Sequence, residues 1–364
     1  MMEKFETKIS TTRGASRIVV GNGLLGQIGV IAAEEVVGRR AVIVTDENVR
    51  PLCLAPVQAS LEAAGFSVEA VAVPPGETSK SVEQLSALWG AFNAFGLTRT
   101  DLVVALGGGV VGDLAGFAAA TYLRGCPVIQ VPTTLLAQVD SSIGGKTGID
   151  LPFGKNLAGA FHQPKAIVAD PLVLSTLPAY RFAEGMAEVV KYGCIYDEAL
   201  FSRIEAFADT LEDEAERFAI ITRCVQLKAD VVNRDALDTG ERMILNFGHT
   251  IGHAIEHTTG YGLMSHGEAV AIGMVAASRI GERIGRTPAG TTSRIAALLT
   301  RLSLPITTTL TVDDIFQTLL SDKKKLSNAI HFILLDRLGR AVRVPFEPEA
   351  LREELLVSLC DTNR

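Results

Sequence analysis

The sequence predicts an α/β N-terminal nucleotide-binding domain with a mainly parallel sheet over residues 1–176, followed by an all-α domain over residues 177–364. Three observations lead there. The first half alternates short β-branched runs with longer amphipathic segments, the pattern of βαβ units. Beyond Pro178 segments with helical spacing follow one another, and strand-like apolar runs return only at 331–335 and 341–344. The length of 364 residues makes about two domains at roughly 150 residues each.

Taken in order, strands are expected at 17–20, 40–45, 67–73, 102–106, 128–131 and 166–169, where β-branched residues cluster between turn residues. Helices are expected at 24–37, 51–64 and 81–95, the last with apolar residues at 82, 85, 88, 89 and 92, one face of a helix. In the second half the segments 181–193, 219–232 and 241–257 read as helices. Lys plus Arg (34) less Asp plus Glu (41) leaves −7 with no basic run, so the footprint of a nucleic-acid binder is missing. No uninterrupted apolar stretch reaches the roughly 18 residues of a membrane span. The charged start MMEKFETK has no signal-peptide core. Five scattered cysteines, at 53, 126, 194, 224 and 360, suggest neither a disulfide framework nor a thiolate zinc site. A cytoplasmic protein without membrane or nucleic-acid partners is expected.

The strand 102–106 runs into Gly107-Gly108-Gly109-Val110-Val-Gly112 and a helical stretch from Asp113. Glycines let backbone N–H groups approach phosphate oxygens, and the helix N-terminus adds a positive dipole end, so a diphosphate is the expected ligand. Where a dinucleotide fold places an acid about 20 residues on, this chain has Val131-Pro-Thr133-Thr134. An acid does end an earlier strand, in Asp46-Glu47-Asn48, and Gly76-Glu77-Thr-Ser-Lys80 follows the next. Ligands of open α/β sheets sit beyond the carboxyl ends of strands, so Asp46, Glu77, Lys80 and the glycine loop are expected to converge on one nucleotide.

Four of the six histidines, at 249, 253, 257 and 266, fall within 18 residues, which points to a metal. On one helix over 241–257, Arg242, Asn246, His249 and His253 would form a continuous polar stripe, with Gly248 and Gly252 marking close approach by a neighbour. Thr250 stands where a zinc peptidase needs Glu. His266 opens another helix, and 181–193 offers Glu184, Glu188 and Lys191; Glu plus two His is a catalytic metal shell with an open position. His257 reads as a surface group. Between the two constellations, Asp140-Ser-Ser-Ile-Gly-Gly-Lys146 and Gly154-Lys155-Asn156 place two lysines on glycine-flanked loops suited to phosphate.

The runs GGGVVGDLAGFAAATYLRG, VPTTLLAQVDSSIGGKTGID, GKNLAGAFHQP, EGMAEVVKYG, NFGHTIGHAIE and SHGEAVAIGM resemble the 3-dehydroquinate synthase family over about 5–344 of the chain. The resemblance implies a homodimer that holds NAD and one divalent zinc or cobalt ion. It puts Glu188, His249 and His266 on the metal, and Asp46, Asn48, Glu77, Lys80, Gly107, Gly108, Gly109, Val110, Asp113, Thr133, Thr134, Lys155 and Thr176 on NAD. It puts Lys146, Asn156, Asn246 and His253 on the substrate phosphate, together with Lys324 or Lys323 and Arg124 of the partner subunit. Lys228 and Arg242 would meet the substrate carboxylate, and Asp140 and Lys191 the reacting hydroxyls. The implied reaction converts 3-deoxy-D-arabino-heptulosonate 7-phosphate to 3-dehydroquinate and phosphate by transient oxidation, phosphate elimination, re-reduction and intramolecular aldol closure. The alternatives are a metal-dependent polyol or alcohol dehydrogenase of related fold, or a cyclase for another sugar phosphate.

Overall fold

The computed structural model describes residues 3–208, 210, 213–260, 263–323 and 330–360. In chain order its elements are β1 (Lys4–Thr11), β2 (Gly14–Gly21), α1 (Ile28–Glu35), β3 (Arg40–Asp46), α2 (Arg50–Ala63), β4 (Ser67–Val73), α3 (Val82–Ala94), β5 (Leu102–Gly107), α4 (Gly109–Thr121), β6 (Val128–Pro132), β7 (Lys146–Leu151), β8 (Gly154–Phe161), β9 (Ala166–Ala169), α5 (Ala179–Tyr196), α6 (Glu198–Phe207), α7 (Glu214–Arg234), α8 (His249–Thr259), α9 (His266–Arg283), α10 (Thr291–Arg301), α11 (Val312–Lys323), β10 (Ile330–Arg337), β11 (Arg340–Phe346) and α12 (Pro348–Cys360).

Two compact units result: Met1–Pro178 with Glu214–Asp238, and Ala179–Asp213 with Thr239–Arg364. A single boundary after residue 176 therefore does not describe the chain. The reason is α7, which packs on β1: the Ser10 N–H donates to Asn233 Oδ1 at 2.7 Å, and Asn233 Nδ2 donates to the Lys8 carbonyl at 3.3 Å.

The first unit holds a seven-stranded sheet in the order β1-β2-β9-β6-β5-β3-β4, parallel except for β1 against β2. Alternate residues of β3 and β5 feed two cores. Ala41, Ile43, Leu102 and Val104 meet Ile28, Val57 and Leu61 of α1 and α2, while Val42, Val44 and Val103 meet Leu85, Phe92 and Leu114 of α3 and α4. Burial on both faces is why these strands read as unbroken apolar runs, and each buried Ile, Leu or Phe contributes about 1.5–3 kcal/mol. The chain leaves β3 toward β4 on one side and β5 toward β6 on the other, so the sheet's switch point lies between the carboxyl ends of β3 and β5, at Asp46 and Gly107. All six expected strands are present. Beyond them, β7 and β8 pair antiparallel, so Lys146 and Lys155 stand on strands and not, as the glycines suggested, on loops.

In the second unit the Ala/Gly-rich α9 is almost wholly buried, with α5 and α8 packed on it. A Cβ on Gly273 would lie 2.0 Å from the Gly248 carbonyl oxygen, and one on Gly267 2.2 Å from that of Glu184, so both contacts require glycine. The single helix expected over 241–257 is broken. A 3-10 turn, Glu241–Asn246, ends where Phe247 turns extended (ψ 124°), and Gly248 takes a left-handed φ of 79° before α8 begins. Arg242 and Asn246 are thus not one stripe with His249 and His253, and an axial spacing read from a continuous helix does not apply. The two late apolar runs form the β10–β11 ribbon, an antiparallel pair within an otherwise helical unit. Cys53, Cys126, Cys194 and Cys224 are free and buried, and no helix among the described residues is long and apolar enough to cross a membrane.

Candidate functional site

In the first unit β5 passes through Gly108, which is extended, into α4, whose first turn has no side-chain cap; its N–H groups are left for an anion. The loop is closely walled, because a Cβ on Gly108 would meet Thr134 Cγ2 at 3.0 Å and one on Gly109 would meet Ser141 Oγ at 3.0 Å. A small concavity runs along it, lined by Gly107, Gly108, Gly109, Asp113, Gln130 and Ser141 among others. Val110 sits half-buried in the first turn of α4, and Thr133 N–H ties back to the Gly107 carbonyl at 3.0 Å.

Lys80 is the centre of a second cluster. Its buried ammonium lies 3.0 Å from Asp113, 3.4 Å from Glu77 and 3.8 Å from Asp150, and donates to the Asn156 side-chain oxygen; Lys155 reaches Glu77 at 3.8 Å. Burial alone would lower the Lys80 pKa, but these carboxylates raise it. Burial pushes Asp113 up to about 6 against the pull of Lys80. Asn156, expected on the substrate phosphate, is here part of the cluster expected to hold nucleotide. Asp150 was missed, although it follows the glycine-flanked lysine motif at strand spacing. Asp46 accepts the N–H groups of Asn48 (2.8 Å) and Val49 (3.0 Å) in the turn that precedes α2, Asn48 is exposed, and the Thr176 hydroxyl donates to the Val173 carbonyl at 2.7 Å.

A π-helical turn, Ala137–Ser141, carries Asp140, whose Oδ1 accepts from Lys228 of α7 at 2.8 Å. The two residues expected on different parts of the substrate are therefore each other's partners. Lys146, half exposed, contacts Asp238, which sequence reasoning missed and which holds a left-handed φ of 60°. Arg124 is exposed on a turn where it and Leu123 both have positive φ. Lys324 lies outside the described residues, as does the side chain of Lys323.

In the second unit Glu188, His249 and His266 come together, from α5 and from the first residues of α8 and α9. A capping box, Ser265 with Glu268, fixes the start of α9 beside His266. Glu188 Oε1 is buried without a hydrogen-bond partner and faces Nε2 of His249 at 3.5 Å and Nε2 of His266 at 3.4 Å. Oε2 accepts from the buried Lys191. An orphaned carboxylate oxygen between two imidazole nitrogens is a donor set that fits a divalent cation. Burial opposes ionisation of Glu188, but Lys191 and the histidines outweigh it and hold its carboxyl well below the usual range. Burial, then Lys191, depresses His249, whereas the carboxylates of Glu188 and Glu256 outweigh burial at His266 and push it up to about 10. The exposed His253 ring lies 5.3 Å from His249 and 5.9 Å from His266. Arg242 is buried, Asn246 and His257 are exposed, and Glu184 is engaged by Arg181 at 2.9 Å rather than turned to the histidines.

The chain is similar over 97% of its length, with a TM-score of 0.86 and 27% identity, to all of a 2-deoxy-scyllo-inosose synthase solved with carbaglucose-6-phosphate, NAD+ and Co2+. A 2-epi-5-epi-valiolone synthase from Streptomyces hygroscopicus, solved with NAD+ and Zn2+, matches over 96% of this chain and 98% of its own with a TM-score of 0.87 and 27% identity. The fold is that of these sugar phosphate cyclases. Residues 70–184 match the family model for the 3-dehydroquinate synthase N-terminal domain and residues 185–325 that for the C-terminal domain. The 3-dehydroquinate synthase of Geobacter metallireducens is 48% identical over 322 residues, 88% of this chain and 89% of its own length. The chain belongs to the 3-dehydroquinate synthase family.

Proposed function

We propose that the chain catalyses the 3-dehydroquinate synthase reaction, turning 3-deoxy-D-arabino-heptulosonate 7-phosphate into 3-dehydroquinate and phosphate as a carbon–oxygen lyase with no net redox change. The observation that carries this reading is the buried Glu188 with its orphaned oxygen between His249 and His266, beside Lys191, in a chain of that family. When bound, NAD supplies a hydride acceptor that gives the hydride back, and a zinc or cobalt ion on Glu188, His249 and His266 supplies a Lewis acid for the substrate hydroxyl.

The first unit is proposed as the nucleotide domain. The glycine loop and the start of α4 hold the diphosphate, Lys80 and Lys155 neutralise charge there, and Asp46, Asn48, Glu77, Val110, Asp113, Thr133, Thr134 and Thr176 line the rest. The second unit is proposed as the metal and substrate domain, in which the planar Arg242 guanidinium grips the substrate carboxylate with two hydrogen bonds. Lys191 moves or holds a proton at the reacting hydroxyl from its place on Glu188. Asp140, Lys146, Asn156, Lys228, Asn246, His253, Lys324 and Arg124 of the partner subunit keep the substrate roles that the resemblance implies, in a cytoplasmic homodimer.

Phosphate release from the heptulosonate phosphate, with NAD well below the substrate concentration and with or without a chelator, tests this reading. Many turnovers per NAD that stop on metal removal are expected. NADH accumulating one-for-one with substrate lost would favour the dehydrogenase alternative.

A further inference from the structure

We propose that Glu256 is a positioning residue that aims His266 at the metal, a proposal that rests on the reading of Glu188, His249 and His266 as its ligands. Glu256 stands on α8 at i+7 from His249, on the side where α8 meets α9: a Cβ on the intervening Gly252 would be only 3.1 Å from the Val270 nitrogen. Its carboxylate is buried, 6% exposed, and Oε2 lies 3.1 Å from His266 Nδ1. A carboxylate only accepts, so Nδ1 carries the proton of this bond and Nε2, 3.4 Å from Glu188 Oε1, is left as the coordinating nitrogen.

His249 is set in the same way by a different acceptor, the Phe247 carbonyl, 3.1 Å from its Nδ1. The break at Phe247 and Gly248 that ends the 3-10 turn therefore serves one ligand, and Glu256 serves the other. A carboxylate behind an imidazole fixes the ring and makes it a stronger donor than a neutral carbonyl does.

The same atoms allow a second arrangement, since His253, Glu256 and His266 also come within 4.8 Å of one another. That arrangement would include the exposed His253 and would share Glu256 between the cation and its hydrogen bond to His266 Nδ1. The geometry favours orientation over a second cation.

The test uses the full-length chain, stripped with a chelator and titrated with Co2+ against a chromophoric competitor, with the cobalt absorption spectrum as a report on coordination. We expect one Co2+ per chain. Glu256→Gln, which keeps an acceptor but loses the charge, should weaken Co2+ several-fold, and Glu256→Ala by about 10–100-fold with an altered spectrum, both at unchanged stoichiometry. Wild-type affinity in either folded variant would overturn the proposal. So would a second Co2+ in the wild type that Glu256→Gln removes, which would make Glu256 a ligand. Undiminished Co2+ binding by His249→Ala would instead overturn the metal reading beneath it.

Discussion

Gly273→Ala sets two effects of opposite sign against each other in α9. Helix propensity alone favours alanine by about 1 kcal/mol. The new Cβ, however, would lie 2.0 Å from the Gly248 oxygen, 2.9 Å from its carbonyl carbon and 3.1 Å from the Gly252 nitrogen, all backbone atoms of the facing turn. An ordinary contact of a Cβ begins at 3.4 Å, so α8 must retreat by more than about 1 Å. Overpacking of this kind costs about 3 kcal/mol at the upper end of its usual range, leaving a net loss of about 2 kcal/mol. Gly248 directly precedes His249, so the same retreat carries His249 away from His266, the pair proposed as metal ligands, and Co2+ affinity should fall with stability. Urea unfolding and chelator competition on the same preparation read both. A variant about 1 kcal/mol more stable than the parent, with unchanged Co2+ affinity, would refute the claim that this glycine contact sets the ligand geometry.

Other perturbations separate the remaining assignments. The Asp113 carboxyl is raised by burial from 3.8 to about 6, so its contribution to stability is present below the lower value and lost as pH rises through the higher. In NAD-free protein, Asp113→Asn should therefore gain stability relative to the parent across that interval, and urea unfolding at a series of pH values showing a constant difference would contradict this. Asp140→Asn removes the carboxylate to which Lys228 donates at 2.8 Å and should destabilise the fold, with Asp140→Asn/Lys228→Met recovering part of the loss; additive losses in the double-variant cycle would show the pair to be uncoupled. Arg242→Lys should weaken productive substrate binding by about 1.5–3 kcal/mol in steady-state kinetics while NAD and metal titrations stay unchanged. Normal turnover, or lost NAD affinity, would remove Arg242 from the carboxylate.

The central strands were legible because they are buried on both faces, which leaves only apolar residues to write them with. The edge strand β1, KFETKIST, hides its period among charged residues, with Ile9 its one fully buried side chain. The β7–β8 pair was hidden by glycine: a Cβ on Gly159 would lie 2.1 Å from the Thr147 oxygen, so the crossing demands a residue that otherwise signals a loop. Helical periodicity ran unbroken through Phe247 and Gly248 because a period says which residues share a face and nothing about a left-handed residue between two turns. The cluster of Glu188, His249 and His266 was readable since histidines and a carboxylate are rare in apolar helices. Pairs such as Lys146 with Asp238 and Asp140 with Lys228 were not, because 92 and 88 residues separate the partners and either member alone looks like a solvated charge.

The placement of α7 bears on how the molecule is made. Strand β1 is synthesised well before its partner, because the contact of Ser10 with Asn233 lies 223 positions downstream. At roughly 5–20 residues per second, the stretch from Pro178 to Asp238 delays completion of the first unit by about 3–12 seconds, during which α5 and α6 of the other unit have already emerged. A gene fragment ending at Pro178 would encode the sheet without the helix that covers β1, and Asp140 without its ammonium, so this sheet is not a cassette that could be moved into another protein by cutting the chain once.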